Sequence, residues 1–335
     1  MSGLRCVDVC AGAGGMALGL EQAGFDPVLL LDRKPVACDT LRRNRSAWRV
    51  LQTDLLDFAP SRHRDIYDVD LLSAGLPRVK AGAVAAPSGA APELRLVEAT
   101  VYLVHAVQPR ALVIENVPGL VDAPDLEPMR DFIREELHHL GYRLLWFLLN
   151  AADFGVPQHR RQGFLVALKM PWFDAFRPPA PTVRESFSVG RALHRSMAAG
   201  GWPDATRWAG QAAGVAPTLV GGSESRGGAD LGPTGTRRAW ARMGVDGGTV
   251  ADEVPGPDFR WAPEAGRQGM VRITTGQAAL LQGFPEDWVF AGKKTARYRQ
   301  IGHASPPPVA RALGCAIRAA FVGPESSLDG YTPTL

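Results

Sequence analysis

From its start to about residue 170 the chain alternates short apolar runs with stretches of helical periodicity, the pattern of a doubly wound sheet. Strands are predicted at Arg5 to Val9, Pro27 to Asp32, Val69 to Ser73, Ala111 to Glu115, Arg143 to Asn150 and Gly163 to Ala167. Helices are predicted at Gly15 to Ala23, Ala37 to Asn44, Leu94 to Val107 and Leu126 to Leu140. This order predicts an α/β fold, an open parallel Rossmann-like sheet with helices on both faces. From about Trp172 to Gly269 helical periodicity fades and Gly, Pro, Trp and Arg become dense, with a loop at Gly221 to Gly228. A second, smaller and irregular domain is expected there. Periodicity returns at Ile273 to Gln282 and Pro308 to Ala320, giving segments 1–172, 173–270 and 271–335.

Composition adds limits. The chain has 335 residues, 46% of them hydrophobic, enough for a sizeable core. It contains no apolar run long enough to cross a bilayer, and its first residues enter a strand without a signal peptide, so a soluble cytoplasmic protein is expected. The four cysteines, Cys6, Cys10, Cys38 and Cys315, form no C-x-x-C pair, which predicts buried thiols and no structural metal. A net charge of +3 does not announce a nucleic-acid binder, but arginines cluster at 42–45, 160–161, 237–242 and 297–299, where each group can meet phosphates or simply face solvent.

The most explicit local chemistry is Asp8-Val9-Cys10-Ala11-Gly12-Ala13-Gly14-Gly15, a strand running into a glycine turn and then a helix. Glycines let backbone approach a ligand closely, and the helix start offers free N–H groups. Asp32 closes the second strand, where a carboxylate can accept from ribose hydroxyls. Asp54 follows the third extended segment, where another can accept from an adenine amine. Both acids can also serve as caps of helices or turns, the lesser of the two readings.

Over most of its length, and in motif order, the chain resembles the DNA (cytosine-5) methyltransferases, a family that uses S-adenosylmethionine. Asp8, Cys10, Ala11, Gly12, Gly14 and Gly15 lie in what resembles the family's methionine-binding loop; Asp32 matches its ribose contact and Asp54 its adenine contact. Pro77 falls on the cofactor side of the following loop by the same resemblance. Glu115-Asn116-Val117 matches Glu-Asn-Val, and Gln158-His159-Arg160-Arg161-Gln162 lies where the family has Gln-x-Arg-x-Arg. Arg272 to Pro285 resembles the late motif supporting the recognition domain, and Tyr298 to Pro307 the final one, whose helix returns to the cofactor-binding sheet. The resemblance thus implies a methyltransferase sheet, residues 1–172, a target-recognition domain, 173–270, and a C-terminal segment, 271–335, rejoining the first domain.

In this family a cysteine thiolate adds to C6 of cytosine, making C5 nucleophilic enough to attack the methyl group. The glutamate of Glu-Asn-Val holds and helps protonate N3, while motif arginines orient the flipped base. Here Ala74-Gly75-Leu76-Pro77-Arg78 stands against a family pattern close to Gly-Gly-x-Pro-Cys, so Arg78 occupies the nucleophile's place. A guanidinium has no lone pair to offer and cannot perform the addition. The loop from Lys80 to Pro92 has lost the motif's aromatic and Ser, Gln162 replaces the second arginine, and His303 replaces the usual Asn. Glu115 and Arg160 remain as candidate catalytic residues. The retained Asn116 is read either as part of base binding or as a pin for the loop around Pro118 and Gly119.

In the recognition region, Thr218 and Leu219 match a family Thr-Leu pair, and Arg226, Arg237 and Arg238 are candidates for bases or phosphates of DNA. Trp202, Trp208, Trp240 and Trp261 are expected in the core. The reading is a non-catalytic relative that binds S-adenosylmethionine and double-stranded DNA, partnering an active methyltransferase or a restriction system. The alternative is an active cytosine methyltransferase with altered mechanism or substrate. Nothing near Leu76 to Val79 resembles the Asp-Pro-Pro-Tyr loop used on exocyclic amines, and the late motifs have no role in a nicotinamide oxidoreductase.

Overall fold

The computed structural model describes residues 3–79, 92–222 and 228–323. In chain order the first half forms β1 (Leu4–Val9), α1 (Gly15–Gln22), β2 (Phe25–Asp32), α2 (Pro35–Asn44), β3 (Val50–Gln52), β4 (Leu71–Gly75), α3 (Pro92–Val107), β5 (Ala111–Asn116), α4 (Gly119–Asp122), α5 (Glu127–His139) and β6 (Tyr142–Asn150). The second half forms β7 (Gln158–His159), β8 (Arg161–Lys169), α6 (Trp172–Ala175), α7 (Val189–Ala198), α8 (Ala205–Gln211), β9 (Ala216–Pro217), α9 (Thr234–Arg242), α10 (Thr275–Leu281), α11 (Lys294–His303) and α12 (Pro307–Val322).

Seven strands make one sheet in the order β3-β2-β1-β4-β5-β8-β6. Its central strands are buried on both faces, which is why they read as continuous apolar runs instead of alternating ones. Val7, Val9, Leu29, Leu31, Leu72, Leu112 and Ile114 face α3 and α5 in one core cluster. In the same unit α12 packs on α1: a Cβ at Gly314 would lie 2.7 Å from that of Ala23.

One expectation changes. The sheet is mixed, because β8 runs antiparallel to β5, pairing Leu112 with Ala167 and Glu115 with Phe164. The stretch 151–160 between β6 and β8 is too short for the crossover that parallel neighbours need. The order β3-β2-β1-β4-β5 also reverses between β1 and β4, and open α/β sheets bind ligands at the carboxyl ends of strands at such a switch.

By its internal contacts the chain forms two compact units. Within the described residues, the first comprises 3–149, 161–180 and 309–323, and the second 150–160 and 181–308. These boundaries follow contacts, so 271–308 lies with the second unit even though the composition shifts at 270. The second unit is also more helical than its sequence suggests, holding α7, α8 and α9 within 173–270. Its core is built on tryptophans: Trp208 and Trp240 are fully buried, Trp202 donates to Phe259 O at 3.1 Å, and Trp208 to Met243 O at 3.0 Å.

Candidate active site

The glycine loop leaves β1 at a sharp angle. Cys10, Gly12 and Gly14 all take positive φ, at 54°, 55° and 86°. The glycines do so freely, whereas the left-handed region costs a cysteine roughly 1–2 kcal/mol. Asp32 holds the loop down, accepting from Gly12 N–H on Oδ2 and from Lys34 N–H on Oδ1, both at 2.8 Å. The start of α1 has no capping side chain and no acid in its first turn, so its N–H groups remain available to a ligand anion.

Asp8 lies one pleat back, at 0% exposure, paired with Leu30 on one side and Ser73 on the other. Its Oδ1 accepts from Ser73 Oγ at 2.6 Å, and its Oδ2 has no hydrogen-bond partner. Burial pushes its carboxyl up to about 7, against the lowering pull of Ser73. A buried carboxylate oxygen without a donor suits a cationic ligand group. Asp54 caps a short 3-10 turn, accepting from Leu56 N–H at 3.0 Å, and its Oδ2 stands 3.7 Å from Arg33. Both Asp32 and Asp54 therefore do cap turns, and a carboxylate's several lone pairs leave each room for another donor.

The loop after β4 is set by Asn116. Its Oδ1 accepts from Val79 N–H at 3.0 Å and Val117 N–H at 2.9 Å, while its Nδ2 donates to Pro77 O at 3.1 Å and Leu76 O at 3.4 Å. Of the two roles open for this Asn, pinning is the one seen. The segment pinned is Leu76 to Val79, and the bond to Val117 N–H is the only one on its own strand side. Arg78 projects from this loop into solvent. Beside it, Glu115 Oε1 accepts from Gln162 Nε2 at 2.7 Å, where a motif arginine would have brought a positive charge. A Cβ on Gly75 would come 4.0 Å from Glu115 Oε2, so the loop begins against that carboxylate. The segment from Lys80 into Pro92, apart from Pro92 itself, lies outside the described residues.

No cysteine here has the marks of a nucleophile. Burial pushes Cys10 up to about 12 and Cys38 up to about 11, and it also raises Cys6 and Cys315. Cys10 packs against the apolar cluster of the sheet and Cys38 Sγ lies 3.4 Å from Asp32 O.

In the second unit, Arg160 is 3% exposed and donates through Nη1 to Leu219 O and Gly302 O, both at 3.1 Å. The geometry makes it a strut between two backbone segments. Gln158 does similar work, donating to Leu281 O and Gln282 Oε1 and accepting from Leu219 N–H. Thr218 Oγ1 donates to His159 O at 2.6 Å and Leu219 is buried, so this pair fastens β9 beside β7. Arg237 and Arg238 are exposed on α9, while Arg226 lies outside the described residues. Thus Asp8, Asp32, Asp54, Glu115 and Arg78 gather in the first unit, and Arg160, Thr218, Leu219, Arg237 and Arg238 belong to the second. No cluster of metal-binding side chains and no helix long and apolar enough to cross a membrane occurs among the described residues.

A sequence model of the C-5 cytosine-specific DNA methylases matches residues 4–188 and 233–319. The Type II methyltransferase M.NaeI of Lentzea aerocolonigenes is 43% identical over 324 residues, covering 96% of this chain and 76% of that protein. The Type II methyltransferase M.NgoMIV of Neisseria gonorrhoeae is 40% identical over 312 residues, covering 92% and 95%. Among solved structures, one described as a DNA modification methyltransferase encoded within an E. coli prophage superposes with a TM-score of 0.65 at 20% identity, covering 95% of this chain and 99% of its own.

Proposed function

The chain belongs to the C-5 cytosine-specific DNA methylase family, and from that premise we propose that it binds S-adenosylmethionine and double-stranded DNA without methylating cytosine C5. The observation that carries the second half is Arg78. The loop that the family uses to present its nucleophile is held by Asn116 in a defined shape, and an always-protonated guanidinium stands on it. No thiol replaces the missing one, since all four are shifted toward the neutral form by burial.

The cofactor reading is supported by the fit of the donor set. When bound, S-adenosylmethionine supplies a sulfonium-activated methyl group. The partnerless Oδ2 of Asp8 suits the ligand's positive end, the uncapped start of α1 suits its carboxylate, and Asp32 and Asp54 stand at the ends of β2 and β3 to take ribose and adenine donors. A carboxylate at Glu115 can accept from a cytosine amine or from a protonated N3, but Gln162 beside it brings no charge. The chain is thus equipped to hold a base more weakly than a complete family site, with no covalent step to follow.

The test is transfer of labelled methyl groups from S-adenosylmethionine to mixed-sequence duplex DNA, beside a cysteine-containing family member. No label with an active control is the expected result. Label recovered in 5-methylcytosine overturns the proposal. A companion variant, Arg78→Cys, is expected to recover little activity, because Gln162 and the 80–91 segment have changed as well.

A further inference from the structure

Away from the residues used above, the second unit contains a seat built for two guanidinium groups. Asp246 is 3% exposed, and its Oδ1 accepts from Arg267 Nε and Gly248 N–H, both at 2.9 Å. Its Oδ2 accepts from Arg272 Nε at 2.9 Å and from Arg267 Nη2 at 3.4 Å. Burial alone would push this carboxyl up; the bonds from Arg267, Gly248 and Arg272 outweigh it and hold the carboxyl below its ordinary value. Gly248 belongs to the seat, because a Cβ there would collide with the Arg267 guanidinium.

Arg267 engages Asp246 through Nε and Nη2 and Arg272 through Nε, so Arg267 Nη1 and both Arg272 Nη groups lie outside these bonds, on side chains 67% and 47% exposed. Two cations share one buried anion, so this trio keeps a positive charge. These arginines line a cleft of about 340 Å³ together with Ala251, Glu253 and Phe259, and Glu253 opposes that charge. Across Ala251 a second cleft of about 340 Å³ is lined by Asp252, Thr275, Lys293, Lys294 and Arg297. Among the described residues, only one of those cations has a carboxylate partner, Lys294 with Asp252 at 2.9 Å. Lys293 and Lys294 also stand at the start of α11, which has no capping side chain and no acid in its first turn. Cations at the positive end of a helix are repelled by its dipole; Asp252 offsets this at Lys294, and a ligand anion would offset it at Lys293.

We propose that the two clefts, meeting at Ala251, form one binding site for the phosphates of a nucleic-acid backbone, running from the Asp246-anchored arginines to the Lys293–Arg297 turn. This rests on the DNA-binding reading above and adds a surface beyond its recognition-region candidates, one that takes in Arg272 of the late motif. Such a site fixes the position of the duplex and carries no sequence information itself.

The experiment is a salt titration of duplex DNA binding to the full chain. Lys293 and Arg297 are exposed and support no buried carboxylate, so the pair Lys293→Gln with Arg297→Gln removes charge with little structural cost. Losing two phosphate contacts is expected to flatten the slope of log affinity against log salt by about 1.8, weakening binding about 60-fold at 0.1 M salt relative to the 1 M limit. A second variant, Gly248→Ala, displaces the Arg267 guanidinium at unchanged net charge and is expected to flatten the slope by about 1. If the unaltered chain binds duplex DNA and both variants follow its line, this site is wrong and the DNA reading survives. If the unaltered chain does not bind duplex DNA at low salt, the reading fails and the site falls with it.

Discussion

Replacing Asp8 by Asn isolates the energy of one buried charge. In the folded chain the carboxyl is at 0% exposure, with Ser73 as its one hydrogen-bond partner, and burial raises it from 3.8 to about 7. The folded state therefore keeps the proton across a range where the unfolded chain has lost it. Stability must fall as pH rises from about 4 to about 7 and then level off, and at 1.36 kcal/mol per unit the loss amounts to about 4 kcal/mol. Asn keeps an oxygen for Ser73 and carries no charge, so Asp8→Asn should lack this dependence. Urea denaturation of both proteins from pH 4.5 to 8 measures it directly, provided unfolding is two-state. The stability of the variant minus that of the parent is expected to grow by up to about 4 kcal/mol toward pH 7. A difference that stays constant with pH would refute the assignment of a raised carboxyl. The same group predicts cofactor behaviour: if the ligand's cation meets Oδ2, affinity for S-adenosylmethionine should rise up to about tenfold per pH unit below 7 and be flat in Asp8→Asn.

Further outcomes are open to direct measurement. Asp54→Ala should lose most of the thermal stabilisation given by S-adenosylmethionine, and an unchanged shift would remove Asp54 from the pocket. Asn116→Ala strips the loop of three anchoring bonds and should cost about 2–4 kcal/mol in urea, with faster tryptic cleavage after Arg78; equal cleavage rates would count against pinning. All four cysteines should react slowly with a disulfide reagent at pH 7 in the folded chain, and one fast thiol would mark an activated nucleophile. Gly314→Leu should destabilise by about 1–3 kcal/mol through overpacking of α12 against Leu20 and Ala23, read from the urea midpoint.

The sheet was legible in the sequence because strands buried on both faces are written as unbroken apolar runs, as in Ala111 to Ile114 and Phe164 to Leu168. Strand direction is not written that way, so the reversal of β8 emerged only from its pairing. The three-residue β3 has too little apolar length to stand out. In the second unit α9 buries Trp240 alone, so it shows no stripe, while the stripe of Val189, Leu193 and Met197 in α7 is masked by flanking Gly and Pro. The glycine loop and its acids were legible from spacing, since neighbours in sequence are neighbours in space there. The partners of Asn116 lie up to 40 residues away and those of Asp246 as far as 26, distances that no local pattern encodes. For Asp246 the adjoining Gly247-Gly248 was a usable sign of close approach.

Asn116 has one more consequence. The backbone from Leu76 to Val79 is shaped by a side chain on a neighbouring strand, through carbonyl and amide groups that every residue type except proline presents alike. Position 78 itself contributes nothing to that hold. The stage and the actor are therefore specified by different residues, and a change of side chain at 78 alters what the loop does while leaving where it stands untouched. A site built this way can lose its original chemistry in a single codon and remain a well-formed surface on which other chemistry can be tried.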